Sequence, residues 1–508
     1  MFRIFGPPGT GKTTTLINRV SDALAKGVSP NRIAFLSFTN KACDEAKERA
    51  GEKFGLNPEK DLPWFRTLHS FSKHLMDEKG MRCMDDKDLR EFASQVRLSS
   101  FGSTPAMNTE DRGFVRNSPV LSLIHRARVK KTPLRTEYNQ SNMGNMQWHE
   151  VEYVSESYLN FKRHQGVYDF TDMLEMFLED ADLTCPEFDL VLLDEAQDLS
   201  PMQWDIAHVL DKKAATMYCA GDDDQAIYVW AGASPADFIN LDSGAEVLSQ
   251  SYRVPSAPHA VAQSIIKQIA RPNRFPKEYD PADREGAVFR LNDLPYAEMD
   301  QGNWLILSQC SFMLREAEEE LRTHGLYFEK QGTASVSESM LRAIKGWERL
   351  RGGGQVDRPT VKKIYKMMSG NGKQIKRGKK MLPAGDDHDV FSHSDLTEHH
   401  GLLVEQDVIW RQALDLIPAE LETYIVSLLK KQEQLGSKPR ISLSTIHGAK
   451  GAECDNVVVL TDISASSERE TRDNQTSLHR LFYVAVTRTR DNLFLIYPDD
   501  PEKSYLIV

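Results

Sequence analysis

Apolar residues in this chain gather into short dense runs that end abruptly in polar residues, with helix-periodic stretches between them. Phe2-Arg3-Ile4-Phe5 is such a run, and Gly6 follows it directly. From Thr14 to Ala25, residues Leu16, Ile17, Val20, Ala23 and Leu24 share one helical face, and Gly27 is a stop. Arg32 to Phe38 reads as a second strand, followed by a helix bearing Glu45, Lys47 and Glu48. Trp64 to Ser70 reads as a strand end with polar groups at its tip. Phe188 to Leu193 and Thr216 to Ala220 are further strands, ending in Asp194-Glu195 and in Gly221-Asp222-Asp223-Asp224-Gln225. Apolar strands that stop in acids or amides, separated by helices, describe a parallel α/β sheet with ligands at its carboxyl edge.

A second α/β unit starts near Ala260, with strands predicted at Trp304 to Leu307, Arg440 to Leu443, Asn456 to Leu460 and Asn492 to Ile496. Both units are interrupted by stretches too long for simple connections. The expected division is a first core over 1–75 and 166–258 with an insertion over 76–165. The second core covers 259–331 and 440–508 with an insertion over 332–439. The first insertion carries the basic patch His125 to Lys131, and the second a basic cluster from Lys362 to Lys380. Each cluster fits a duplex contact as well as a solvated face.

Composition narrows the class. With 508 residues, 40% hydrophobic and 27% charged, the chain is an ordinary globular protein of two or more compact units. No apolar run is long enough to cross a bilayer and no leader precedes the first strand, so an intracellular, cytoplasmic and soluble protein without membrane contact is expected. The six cysteines are scattered without a C-x-x-C pair, which speaks for a reducing compartment and against a zinc site. A net charge of −11 counts against a protein that coats nucleic acid, though not against one that grips a strand in a local groove.

The chemistry begins at Gly6-Pro7-Pro8-Gly9-Thr10-Gly11-Lys12-Thr13, which fits G-x-x-x-x-G-K-[ST] between a strand and a helix. Backbone N–H groups in such a loop curl around an anionic phosphate at a helix N-terminus. Gly6, Gly9, Thr10, Gly11, Lys12, Thr13 and Thr14 are the candidate nucleotide ligands. Lys12 would reach the β- and γ-phosphates and the Thr13 hydroxyl would ligate Mg²⁺. Asp194, at the end of an apolar strand, is the natural second ligand for that ion, and Glu195 is placed to activate a water. The plainer reading is a glycine turn and a pair of surface carboxylates.

With these come Ser37-Phe38-Thr39-Asn40-Lys41-Ala42, Thr67-Leu68-His69-Ser70, Asp169-Phe170-Thr171-Asp172 and Asp194 to Asp198. Gly221 to Trp230, Ser251-Tyr252-Arg253, Thr445 to Glu453 and Arg480 to Arg488 complete the set. In this order and spacing the chain resembles the UvrD/Rep family of superfamily 1 DNA helicases, from residue 6 to about residue 495. The resemblance implies two RecA-like parallel-sheet P-loop cores, each interrupted by a mainly helical inserted subdomain. It implies ATP and Mg²⁺ as cofactors and movement along single-stranded DNA, in the 3′ to 5′ direction, with separation of duplex at single-strand/duplex junctions. By the same resemblance Gln225 senses the γ-phosphate and Tyr252 stacks on the base. Arg253 and Arg488 are arginine fingers from the second core, and Glu453 contacts the sugar. Thr39, Asn40, Thr67, His69 and His447 line the single-strand path, and Trp230 stacks on a base. Such stacking is sequence-tolerant and worth roughly 1–3 kcal/mol per base. On its own Trp230 would read as a core tryptophan.

Several positions depart from the family pattern. The adenine-reading segment is not found among the five residues ahead of Gly6, which predicts weak preference for ATP over GTP. Ala231 replaces an arginine, and Leu307-Ser308-Gln309-Cys310 replaces a segment that offers an arginine to the DNA backbone. Both changes weaken the grip on phosphates. The second insertion is short, and no nuclease domain is expected after the last core strand. A monomeric motor that unwinds DNA is the leading expectation. A DNA-stimulated translocase that strips proteins or needs a protein partner to unwind is the second. A small-molecule kinase is opposed by the second core and Arg488.

Overall fold

The computed structural model describes residues 1–37, 40–76, 80–97, 118–296, 298–464 and 475–507. Its framework is two twisted sheets. The first has six strands: β1 (Phe2–Phe5), β2 (Ile33–Ser37), β3 (Phe65–Thr67), β4 (Phe188–Leu193), β5 (Ala214–Gly221) and β6 (Ala245–Val247). They lie in the order β3-β2-β4-β5-β1-β6, and every pairing is parallel. All five residues of β2 are buried, as expected of a strand covered by helices on both faces. One face packs Phe5, Leu36, Val191, Leu193 and Trp204, and the other packs Ile4, Leu16, Val20, Phe35 and Leu192.

The second sheet has seven strands. These are β7 (Ala287–Leu291), β8 (Trp304–Ser308), β9 (Phe328–Lys330), β10 (Thr333–Ala334), β11 (Ile441–Thr445), β12 (Cys454–Leu460) and β13 (Thr489–Ile496). The order is β10-β9-β11-β8-β12-β13-β7, parallel except for the β9–β10 pair. The chain is therefore α/β with two mostly parallel sheets, as the periodicity implied. The edge strands β6, β7 and β10, and β9 beside the last, were not expected from the sequence. They are short or polar enough to lack a dense apolar run.

Boundaries moved where polar residues extend an element. The first helix begins at Lys12, with Gly11 in the left-handed region (φ 78°) as its N-cap. The polar tip expected at Thr67 to Ser70 is a helix, Leu68–Leu75, capped by the Thr67 hydroxyl accepting from Ser70 N at 3.2 Å.

The two stretches between core strands behave differently. Residues around Phe92, Leu123, Val151, Tyr158 and Phe161 form a small core of their own. Trp347, Ile364, Tyr365 and Ile425, between β10 and β11, instead share one continuous core with Trp304, Ile306, Leu443 and Phe494 of the second sheet.

Candidate nucleotide and nucleic-acid site

Three segments of the first sheet's carboxyl edge converge on the phosphate loop. Gly6 has no alternative: a Cβ there would lie 1.9 Å from Lys12 Cγ, because the Lys12 side chain folds back over the loop to donate to Gly6 O at 3.0 Å. Gly9 has φ 73°, and a Cβ there would meet Arg253 Cβ at 2.4 Å. Thr10 closes the loop on itself, its hydroxyl donating to Pro7 O at 2.8 Å. Thr14 faces outward and accepts from Arg49 at 3.4 Å.

β4 delivers the acids. Thr13 Oγ1 donates to Asp194 Oδ2 at 3.1 Å, and Lys12 Nζ lies 4.0 Å from Glu195 Oε1. Glu195 takes a left-handed backbone (φ 55°), uncommon for a side chain of its kind, which turns its carboxylate back toward Lys12. Gln197 Nε2 donates to Glu195 Oε2 at 2.6 Å. Burial alone would raise Glu195, but Lys12, Lys450, Gln197 and Arg488 outweigh it and keep the group ionised. Asp194 is raised, first by burial and then by the Glu195 charge. A buried, acceptor-only carboxylate 3.1 Å from a hydroxyl is a fitting donor set for Mg²⁺, whose charge would offset both effects. Thr13 and Asp194 would hold that ion.

The segment Ser251-Tyr252-Arg253 is bonded directly to the loop. Ser251 Oγ donates to Pro8 O at 2.8 Å, and Tyr252 N donates to Gly9 O at 2.8 Å. Tyr252 is left 74% exposed beside the loop. Arg253, expected to reach in from the second core, thus stands on a segment anchored to the first, and its Nε donates to Glu453. Glu453, expected at the sugar, is clamped between Arg253 and Arg490.

From the second sheet come three cations. Lys450 Nζ pairs with Asp198 and donates to Gln225 O at 3.0 Å, with Glu195 Oε2 at 3.9 Å. Arg490 holds Glu453. Arg488, only 1% exposed, donates through Nη2 to Gln225 Oε1 at 3.0 Å, through Nε to Val484 O at 3.0 Å and through Nη1 to Ala452 O at 3.3 Å. Burial and then the neighbouring Arg253 push it down to about 9, so it remains charged at neutral pH. Among the described residues no carboxylate pairs with it. Asp491, the obvious structural partner, bonds Arg284 at 3.0 Å instead. Gln225 is fixed at both ends, because its Nε2 donates to Asp222 Oδ2 at 2.7 Å.

The expected strand-path residues fall into two groups. Trp230 and His447 meet across the seam between the sheets. Trp230, 50% exposed rather than in a core, lies with its indole Nε1 3.2 Å from His447 Nε2. Burial, with help from Lys450, pushes His447 down to about 4, so the ring is neutral. On the first sheet Asn40 opens the helix Asn40–Phe54 and is exposed. Thr67 is the helix cap already described, and His69 packs edge-on against Phe170 at 5.9 Å. Phe38 and Thr39 lie outside the described residues.

Of the two basic stretches, the first is neutralised internally. Arg128 pairs with Asp169, Asp172 and Glu175, Arg126 and Lys130 with Glu137, and Lys131 with Asp205. In the second, Lys376, Arg377, Lys379 and Lys380 are exposed. Sequence reasoning missed Lys450, Arg490 and Gln197 as site residues. Lys450 and Gln197 lie inside quoted motifs, so a count of polar groups at strand ends could have found them.

The chain is similar to known proteins over most of its length. Residues 2–245 match the UvrD/REP helicase N-terminal domain and residues 417–500 the UvrD-like helicase C-terminal domain. The YjcD protein of Bacillus subtilis is 24% identical over 602 aligned positions, spanning 96% of this chain and 76% of that protein. The ATP-dependent DNA helicase PcrA of Leuconostoc citreum is 23% identical, spanning 98% and 68%. DNA helicase II of Escherichia coli is 28% identical over 51% of this chain but only 37% of its own length. Among solved structures, the arterivirus nonstructural protein 10 helicase aligns with a TM-score of 0.36 at 11% identity, over 99% of this chain and 60% of that one. By its two domain matches, the chain belongs to the UvrD/REP helicase family.

Proposed function

We propose that this protein is an ATP-driven motor that moves along single-stranded DNA in the 3′ to 5′ direction and separates duplex ahead of it. The observation that carries the reading is Arg488: a buried guanidinium from one sheet, without a carboxylate partner among the described residues, hydrogen-bonded to an amide that belongs to the other.

Lys12 and the loop N–H groups bind the triphosphate, with Tyr252 against the base. Thr13 and Asp194 would hold Mg²⁺, which when bound would neutralise charge on the phosphates. Glu195, ionised and oriented by Gln197, takes a proton from the attacking water. Arg488 and Arg253 meet the charge that develops on the transferring group, for which a planar, permanently charged fork is suited. Because Lys12, Asp194 and Glu195 come from one sheet and Lys450 and Arg488 from the other, nucleotide draws the sheets together and hydrolysis releases them. Trp230 and His447 touch across the same seam, so that motion reaches the proposed strand path. Asn40, Thr67 and His69, with Thr39, line that path on the first sheet. Glu453 contacts the sugar once nucleotide displaces its arginines. The working form is a monomer in the cytoplasm.

ATP turnover with and without single-stranded DNA tests the motor reading, and absence of stimulation would contradict it. Unwinding of substrates with a 3′ or a 5′ single-stranded tail tests polarity, and a translocating chain that unwinds neither is the partner-dependent alternative. Stacking on Tyr252 satisfies any purine, so ATP and GTP should be turned over within about a hundredfold of each other. A larger preference for ATP would mean that a hydrogen-bonding group reads the base.

A further inference from the structure

Asp222, Asp223 and Asp224 are buried, with carboxylate oxygens within 4.8 Å of one another. The cation among them is the protein's own. Lys277 is completely buried, and its Nζ lies 3.1 Å from Asp222 Oδ1, 2.5 Å from Asp223 Oδ1 and 2.9 Å from Asp224 Oδ2. Arg274 holds both oxygens of Asp224 at 2.8 and 3.0 Å, and Phe275 N donates to Asp223 Oδ2 at 2.9 Å. Burial would discharge Lys277, but the three carboxylates raise it above its ordinary value.

The strap that carries Lys277 also grips the helix leading to Arg488. Arg480 Nη2 donates to Asn273 O at 2.6 Å, and the Tyr279 and Tyr483 hydroxyls are 3.1 Å apart. Asp222 faces two ways. One oxygen meets Lys277 and the other accepts from Gln225 Nε2, whose Oε1 accepts from Arg488. Asp222 Oδ2 accepts and Arg488 can only donate, so the NH₂ end of the Gln225 amide faces Asp222 and its oxygen faces Arg488. An amide turned the other way would set a donor against a donor. The cage therefore decides the polarity of a side chain that links an acid of the first sheet to the buried arginine of the second.

We propose that Lys277 is a positioning residue for nucleotide hydrolysis: by holding the Asp222 carboxylate in place, it sets the Gln225 amide and through it the Arg488 guanidinium. The inference rests on the reading that Arg488 serves hydrolysis. Lys277→Met keeps the length and removes the charge. Its DNA-independent kcat for ATP should fall roughly 10- to 100-fold, as expected when a reacting group is misplaced by about an ångström, with KM for ATP within about twofold.

A loss of melting temperature is also expected, and it does not distinguish positioning from support. A cycle with Gln225→Ala does. If Lys277 acts through Gln225, Lys277→Met lowers kcat in the wild-type chain but not in Gln225→Ala, while its effect on melting temperature persists in both. Equal kcat losses in the two backgrounds, or an unchanged kcat per folded molecule, would overturn the proposal. Should Lys277→Met melt below the assay temperature, Lys277→Met/Asp223→Asn replaces it, with one buried charge of each sign removed and Asp222 still without its cation. Stimulation of the wild-type chain by single-stranded DNA is read separately. Its absence contradicts the motor reading, whereas the kcat cycle without DNA judges Lys277.

Discussion

The two sheets bring mostly opposite charge to their shared seam, the Arg253–Glu453 pair being the reverse. The first contributes Asp194, Glu195 and Asp198, together with the loop that holds Lys12. The second contributes Lys450, Arg488 and Arg490. Each side is costly alone. Asp198 is buried and pushed up to about 6 by that burial, against the pull of Lys450, and Arg488 is buried with no paired carboxylate among the described residues. On the proposed reading, a site divided in this way has full chemistry only when both halves meet, so a bound anion would control their separation.

Breaking the first side at its centre should have the largest effect. Lys12→Ala removes the cation over the phosphates and should lower hydrolysis about 10³-fold or more. Glu195→Gln should leave ATP binding within a few fold while slowing turnover roughly 10²–10⁴-fold, since shape is kept and the base is lost. Near-normal turnover in Glu195→Gln would move the water-activating role elsewhere.

Breaking the ion pair across the seam comes next. Lys450→Met leaves Asp198 buried without its cation, a change that typically costs about 3–5 kcal/mol. Thermal unfolding should record that loss, and Lys450→Met/Asp198→Asn should recover most of it. A Lys450→Met protein as stable as the wild type would mean that the pair contributes nothing to holding the halves together.

The smallest effect concerns His447. Its folded pKa of about 4 lies below the unfolded value of about 6.5, so the unfolded chain binds the extra proton between the two. Its contribution is fully present above pH 6.5 and is lost as the pH falls toward 4, at up to about 1.4 kcal/mol per pH unit. His447→Gln should show a shallower fall of stability with acid over that window. Identical slopes would mean that the ring is not buried neutral against Ile227 and Trp230.

Much of this was legible in the sequence because the strands that matter are buried on both faces. Phe188–Leu193 is a run of apolar residues ended by two acids, and its bounds were read without error. The phosphate loop is as clear, since its glycines leave room for Lys12. Edge strands such as Ala245–Val247 carry no such signal. Arg253 falls within the bounds expected for the first core, 166–258, yet its motif implies a finger from the second, because a single motif arginine does not reveal which sheet its backbone is bonded to. Arg128 was left open for a different reason. Its three carboxylate partners lie more than forty residues away, at Asp169, Asp172 and Glu175, and a local count of charge sees only the basic run. Lys277 was unreadable for the same reason, being a lone lysine between prolines and acids until the fold closes three aspartates around it.

The claim that one site is built from two sheets is tested most directly at Arg488. Single-turnover ATP hydrolysis and melting temperature are to be measured on the same preparation of Arg488→Ala, with Arg488→Lys beside it. A composite site predicts nucleotide binding close to the wild type and hydrolysis reduced roughly 10³–10⁵-fold. Lysine should give no rescue, because an ammonium lacks the planar fork. A well-folded Arg488→Ala protein that hydrolyses ATP at the wild-type rate would contradict the account, and with it the proposed motor.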